Sequence, residues 1–279
     1  MGTDALTERQ RTLLERWLPG ATVVGDHSWG LVERQVLEVT HDGERYVVKA
    51  GGCDDHHMLR EIDAHRRWLG PWTSRGRAPE MVHADEDARL LLTRYLPGTL
   101  VLGSRHAADP QVFRQAGRLL ALLHDQPALS DDGFEARERD KALAWLDKPH
   151  RIAPEVVERL RAEVSSWPTP PATLVPTHGD WTSRNWLVHD GVVSVIDFGR
   201  AGLRPPLTDF ARLAAGEFRG DPELETAFLE GYGTDPREPE AWRRQRVREA
   251  IATAVWAHLV GDEPFEAQGH RMIADVLAG

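Results

Sequence analysis

Between residues 178 and 199 the chain reads His178-Gly179-Asp180-Trp181-Thr182-Ser183-Arg184-Asn185, then two short β-rich runs, then Ile196-Asp197-Phe198-Gly199. Phosphoryl transfer needs one carboxylate to orient or deprotonate an attacking hydroxyl, and hard oxygen ligands to hold Mg²⁺ on a triphosphate. Asp180, Asn185 and Asp197 supply such a set. The runs 186–188 and 192–196 flank His189-Asp190-Gly191, and an Asp-Gly between β-rich segments predicts a hairpin. A hairpin returns its ends to one place, so Asp197 comes back beside Asn185. Asparagine suits a metal site because its carbonyl is a neutral hard-oxygen ligand. Asn185 is the one asparagine of the chain, and Lys49, Lys141 and Lys148 are the only lysines among 34 basic residues. In so arginine-rich a sequence, a retained Asn or Lys is a candidate for chemistry.

The elements that must position these residues are legible on both sides. Runs 31–40 and 45–50 flank His41-Asp42-Gly43-Glu44, a second Asp-Gly hairpin. Asp54 or Asp55 then caps a helix whose apolar stripe is Met58, Ile62, His65 and Leu69, ended by Gly70-Pro71. Another strand pair is predicted at 81–84 and 88–95, stopped by Pro97-Gly98. Beyond it the pattern turns helical. Asp109-Pro110 opens a helix to His124 with Val112, Ala116, Leu119 and Leu123 on one face. Further helices are expected at 140–146, 154–167, after Asp221-Pro222, and at 242–260. The proline-rich stretch 168–176 reads as a stiff loop.

With 279 residues, 41% hydrophobic and 28% charged, the chain is globular in composition and long enough for a sizeable core. A net charge of −10 argues against nucleic acid or anionic membrane as general partners. A single cysteine, Cys53, excludes an internal disulfide and fits a reducing cytoplasm. The charged first 18 residues do not read as a signal peptide, and no apolar run is long enough to span a membrane.

His178-Gly179-Asp180 with Asn185, Ile196-Asp197-Phe198, and later Asp209-Phe210-Ala211 resemble the aminoglycoside phosphotransferase and choline kinase family, over residues 20–215 in element order. The resemblance implies an α+β, two-lobed, protein-kinase-like fold. Residues 1–96 would form a small antiparallel-sheet nucleotide-binding lobe, and 97–279 a larger, mainly helical catalytic and acceptor-binding lobe. It makes Asp180 the catalytic base and Asn185 and Asp197 the Mg²⁺ ligands. His178 would bond backbone near the metal loop, and Asp209 would brace that loop. Lys49 would reach the phosphates of ATP or GTP, held by Glu61, with Asp63 as substitute. Ser28, in the stretch Asp26 to Gly30, stands where a phosphate-covering loop belongs. Arg94, Tyr95 and Leu96 stand where a hinge pairs with the base. Arg184 would lean on Asp180 or on the transferring phosphate.

For the acceptor, Glu217, Asp221, Asp262 and Glu263 are candidate carboxylates of a pocket for a cationic molecule, and Trp181 is the tryptophan best placed to touch substrate. Trp17, Trp68, Trp145, Trp186 and Trp256 read as core, and His124 as a packed histidine. The expected activity is O-phosphorylation of a hydroxylated antibiotic, giving resistance, by a monomer or homodimer. A metabolite kinase for choline, homoserine or a sugar is the alternative. A nucleotide-binding pseudokinase is a third reading, which acceptor-dependent nucleotide turnover would exclude.

Overall fold

The computed structural model describes residues 5–28 and 34–278. It begins with helix α1 (Glu8–Trp17), opened by a capping box in which Thr7 and Gln10 bond reciprocally. A five-stranded antiparallel sheet follows: β1 (Thr22–Asp26), β2 (Gln35–His41), β3 (Glu44–Ala50), β4 (Met81–Asp85) and β5 (Leu90–Arg94), in the order β1-β2-β3-β5-β4. The β2–β3 turn is at Asp42-Gly43, both in left-handed conformation, which matches the strand twist. Residues 31–33, expected to begin β2, lie outside the described residues. One face of the sheet packs Leu37, Val39, Val48 and Leu92 against Leu14 and Leu18 beside α1.

Between β3 and β4 runs α2 (His56–Arg67), with Asp55 as its N-cap, accepting from the His57 and Met58 amides. Met58 and Ile62 are fully buried against Leu91 of β5, so the predicted stripe is the packing face. Gly70-Pro71 does more than end that helix: it opens a short turn, α3 (Gly70–Thr73), which buries Trp72.

After Pro97-Gly98 the architecture changes. Strand β6 (Thr99–Leu100) joins β9 (Trp186–His189) and β10 (Val192–Val195) in a small sheet. Helix α4 (Pro110–His124), capped by Asp109, lies on α9 (Pro222–Tyr232), capped by Asp221. Phe113, Trp181, Trp186, Phe198, Phe210 and Phe228 fill the core around them. A second core joins α5 (Phe134–Trp145), α6 (Pro154–Ser165), α10 (Pro239–Val260) and α11 (Glu263–Ala278) through Leu160, Val247, Ile251 and Ile273. Two short helices, α7 (Ala211–Ala215) and α8 (Glu217–Gly220), precede α9.

The expected proline loop is corrected in part. Ala172–Thr177 is strand β8, between β7 (Leu129–Asp131) and β11 (Gly202–Arg204). Pro176 is tolerated because β7 pairs only with residues 172–174, so opposite Pro176 the ladder has one neighbour, Leu203. Among the described residues no helix is long and apolar enough to cross a membrane.

Candidate active site

Strand β8 delivers the loop 178–185 into the cleft, and a buried brace holds its start. Asp209 sits in a tight helical turn (Pro206–Phe210) and accepts from the His178 amide at 2.8 Å and the Gly179 amide at 2.7 Å. His124 bonds Asp209 at 3.2 Å and Tyr232 at 2.9 Å, so this packed histidine is a strut of the loop. Burial would raise the Asp209 carboxyl, but His124 and then His178 outweigh it and hold it low. The His178 ring lies 3.1 Å from the Ile196 carbonyl and 3.3 Å from the Asp180 amide. A proton on Nε2 satisfies both contacts. Gly179 has φ +77°, and a Cβ there would fall 2.2 Å from the Arg200 carbonyl. Only glycine fits.

Asp180 is buried with both carboxylate oxygens in use. Oδ1 accepts from Arg212 at 2.5 Å and Oδ2 from Arg184. Arg212 also donates to Glu249 at 2.9 Å. Desolvation would push the Asp180 carboxyl up; Arg212 first and Arg184 second hold it far below the usual carboxylate range. Such a group stays ionised, suited to orienting a hydroxyl and weak as a base.

Asn185 and Asp197 meet at one end of the β9–β10 ladder. Its last pair is Trp186 opposite Val195, and the Ile196 amide donates to the Asn185 carbonyl at 3.0 Å. The Asn185 amide nitrogen is engaged by the Asp180 carbonyl at 2.8 Å, which leaves the side-chain oxygen as its free donor atom for a cation. Asp197 holds a left-handed backbone, φ 65°, uncommon outside glycine and frequent at functional sites. Its carboxylate has one long contact, the Gly199 amide at 3.5 Å. Two hard oxygens brought to one ladder end, Asp197 in the cleft wall and Asn185 buried beside it, suit Mg²⁺, which takes one or two protein ligands and completes its shell with phosphates and water. Among the described residues no cluster of three or more His, Cys, Asp or Glu offers a richer metal site.

Across the cleft, Lys49 of β3 contacts Glu61 of α2 at 2.5 Å, and Glu61 is buried. Burial would lower the Lys49 ammonium, but Glu61 and then Asp197 raise it, so it stays charged near the Asp197 carboxylate. Asp63 instead pairs with Arg67 on the surface. Ser28 ties its loop to β2, accepting from the Val36 amide at 3.0 Å; Trp29 and Gly30 lie outside the described residues. At the expected hinge, Arg94 faces Glu80 at 3.2 Å, and the Tyr95 amide is spent on the Arg45 carbonyl at 3.0 Å. Tyr95 therefore cannot offer that N–H to a base. Leu96 begins the crossing to β6.

The acceptor candidates are largely corrected. Trp181 is 1% exposed, packed among Trp72, Trp186 and His178, because its loop turns the indole into the core. Asp221 caps α9. Glu217 accepts from the Ser183 amide at 3.0 Å and so holds the loop 178–185. Glu263 is exposed at the start of α11. Only Asp262 faces the cleft of about 510 Å³ that holds Asp180 and Asp197. Trp256, expected in the core, instead lines an adjoining recess of about 250 Å³, and Trp145, packed on the second core as expected, lines it too. Arg212 and Glu249 were not singled out by sequence. Arg212 stands three residues after Asp209 on a helical start, a spacing that puts both on one side. Glu249 carries no local signal.

The sequence profile of the phosphotransferase enzyme family matches residues 28–245. No curated protein matches the sequence. Among solved structures, a thermostable mutant of aminoglycoside phosphotransferase APH(4)-Ia, in ternary complex with ADP and hygromycin B, superposes with TM-score 0.72 at 15% identity, covering 98% of each chain. Choline kinase LicA from Streptococcus pneumoniae gives TM-score 0.66 at 15% identity, over 98% of this chain and 99% of that one. Macrolide 2'-phosphotransferase type I gives 0.61 at 21%, over 96% and 98%.

Proposed function

This chain belongs to the phosphotransferase enzyme family, and from that premise we propose that it moves the γ-phosphoryl group of ATP or GTP to a hydroxyl of a small molecule. The observation that carries the reading is the convergence of Asp180, Asn185 and Asp197 at one ladder end, opposite the Lys49–Glu61 pair. The transition state of such transfers is loose, so the protein's work is positioning and charge stabilisation.

Asp180 orients the acceptor hydroxyl. Its ionised carboxylate takes the proton late, when the oxygen has already bonded to phosphorus and become acidic. Arg184, part-exposed beside it, is placed to steady charge on the group in transit. Lys49 holds donor phosphates, its direction fixed by Glu61. Asn185 and Asp197 would hold Mg²⁺, which when bound neutralises the phosphate charge.

An antibiotic is the acceptor class that the neighbours named for hygromycin B and macrolides support; the choline kinase neighbour supports a metabolite kinase. Inhibitory concentrations measured in a sensitive bacterium expressing the protein separate the two readings. The direct test of the activity is Asp180→Asn. We expect kcat for acceptor-stimulated ADP release to fall about a hundredfold or more, with nucleotide affinity nearly intact. Turnover close to wild type in that variant overturns the assignment.

A further inference from the structure

We propose that the acceptor carries an anionic group, seated on arginines in the recess beside Asp180. The inference rests on the phosphotransferase reading and narrows its substrate class. The recess shares Arg200, Arg212, Trp256 and Phe265 with the catalytic cleft, and Gly179, the residue before Asp180, is part of its wall. An acceptor that offers a hydroxyl to Asp180 therefore extends the rest of its body into this space.

The charge of the walls is one-sided. Six cationic side chains line the recess, against two carboxylates, Glu138 and Glu249. Three of the cations are already matched: Arg212 by Asp180 and Glu249, Lys141 by Glu138, and Arg248 by the buried Glu135 behind it. Arg60, Arg200 and Arg204 remain. Among the described residues none of these three has an ion-pair partner; the side-chain bond of Arg204 goes to the neutral Thr177 hydroxyl at 2.9 Å.

Arg200 and Arg204 are part-buried, and a guanidinium cannot escape the cost by losing its proton. Burial, joined at Arg200 by the charge of Arg212, outweighs the more distant pull of Asp180 and Glu249 on Arg200 and of Asp209 and Glu138 on Arg204, and makes both less able to hold a proton than an exposed arginine. Arg60 adds its repulsion at Arg204, so two of the three lie within one another's field. Arg200 and Arg204, unmatched and partly desolvated, are costly unless an anion completes them, and the exposed Arg60 adds its charge to the same wall. Planar guanidinium forks favour a carboxylate or a phosphate ester, bound through charge-assisted hydrogen bonds. Trp145, Trp256 and Phe265 supply flat apolar walls for a ring or hydrocarbon body. A polycation would meet the wrong sign.

One sugar scaffold in several charge states makes the test. Acceptor-stimulated ADP release and thermal melting are measured with glucose, glucosamine, glucuronate and a glucose phosphate ester, in wild type, Arg60→Gln, Arg204→Gln and the double variant. The carboxylate and phosphate arms separate the two anionic sources. We expect an acidic member to be preferred over glucose by about tenfold or more in kcat/KM, with glucosamine last. The preference should collapse in the double variant, while acceptor-independent nucleotide hydrolysis stays unchanged. Equal or better use of glucose or glucosamine overturns the proposal. If no sugar accepts phosphate, melting decides: acids that fail to stabilise the wild type, or stabilise the double variant equally, overturn it as well. Loss of Mg²⁺-dependent nucleotide turnover with acid binding retained would instead strike the phosphotransferase reading and leave the anion site standing.

Discussion

Two walls of one cleft meet at Asp180, and they treat charge in opposite ways. On the wall proposed for phosphoryl transfer, Lys49 is paired with Glu61 and Asp180 with Arg184 and Arg212. Among the described residues the Asn185 side-chain oxygen accepts no hydrogen bond and the Asp197 carboxylate has only the long Gly199 contact, a pair of hard oxygens that calls for a cation. On the recess wall the unmatched groups are the guanidiniums of Arg60, Arg200 and Arg204, which call for an anion. The first wall is centred on one stretch, 178–197, to which Lys49, Glu61 and Arg212 are brought from elsewhere in the chain. The second draws on α2, α5, α10 and the segment after Asp197. The chemistry proposed for the first wall leans on local geometry around one hairpin; the acceptor seat proposed for the second leans on side chains far apart in the chain.

The sharpest way to break this contrast is to remove the cation-seeking oxygens. Asp197→Ala should cost roughly a thousandfold in kcat/KM and Asn185→Ala somewhat less, since each deletes an oxygen of the expected clamp on the phosphates. Acid binding in the recess should survive both. If Asp197→Ala turns over normally at ordinary Mg²⁺, or if it abolishes acid binding as well, the division into two walls fails.

How much could be read from the chain follows the same line. The hairpins at Asp42-Gly43 and Asp190-Gly191 and the caps at Asp55, Asp109 and Asp221 were legible, because each is a local signal with a local cause. So were the positions of Asp180, Asn185 and Asp197, because a hairpin brings its own ends together. Strand β8 was obscured by Pro176, whose acceptability depends on where β7 stops pairing. Helix α1 carries a local signal, the capping box of Thr7 and Gln10, yet it lies outside the predicted elements, as does α11. The acceptor wall failed most plainly. Trp181 stood in the right loop and points into the core, while Trp145 and Trp256 stood on apolar-looking helices and face the recess. No spacing rule tells which face of α5 or α10 lies beside residues 200–204.

Arg212 belongs to both walls, so its removal should have an intermediate effect. Arg212→Gln leaves Asp180 with Arg184 alone and raises the carboxyl toward the ordinary aspartate value. For the wild type the ionised form, and so the rate, persists to well below the usual carboxylate range as pH falls. In the variant the acid limb should move upward, with kcat at neutral pH reduced about tenfold through lost positioning. Coincident pH–rate profiles for the two proteins would remove Arg212 from any positioning role.

The smallest effect concerns α2, the element both walls share: Glu61 faces the phosphoryl side, while His57 and Arg60 face the recess. His65, on the same helix, stacks edge-on against Phe198 at 5.3 Å, and its Nδ1 is buried with no partner among the described residues. Burial, and secondarily Lys49, lowers its pKa to about 3. A folded value below the unfolded one means that the stabilisation is complete above about pH 6.5. It is then lost progressively as pH falls toward 3, because the unfolded chain binds a proton that the native ring refuses. Between neutrality and roughly pH 5 this one ring should cost about 1–2 kcal/mol of stability. His65→Phe keeps the ring on Phe198 and removes the proton site, so its melting temperature should fall less over that interval. Acid should then also spare both nucleotide and acceptor KM in the variant relative to wild type, since α2 keeps its seat under each wall. Identical pH dependence of melting in the two proteins would detach His65 from the acid response. A change in one KM without the other would show that α2 serves only one wall.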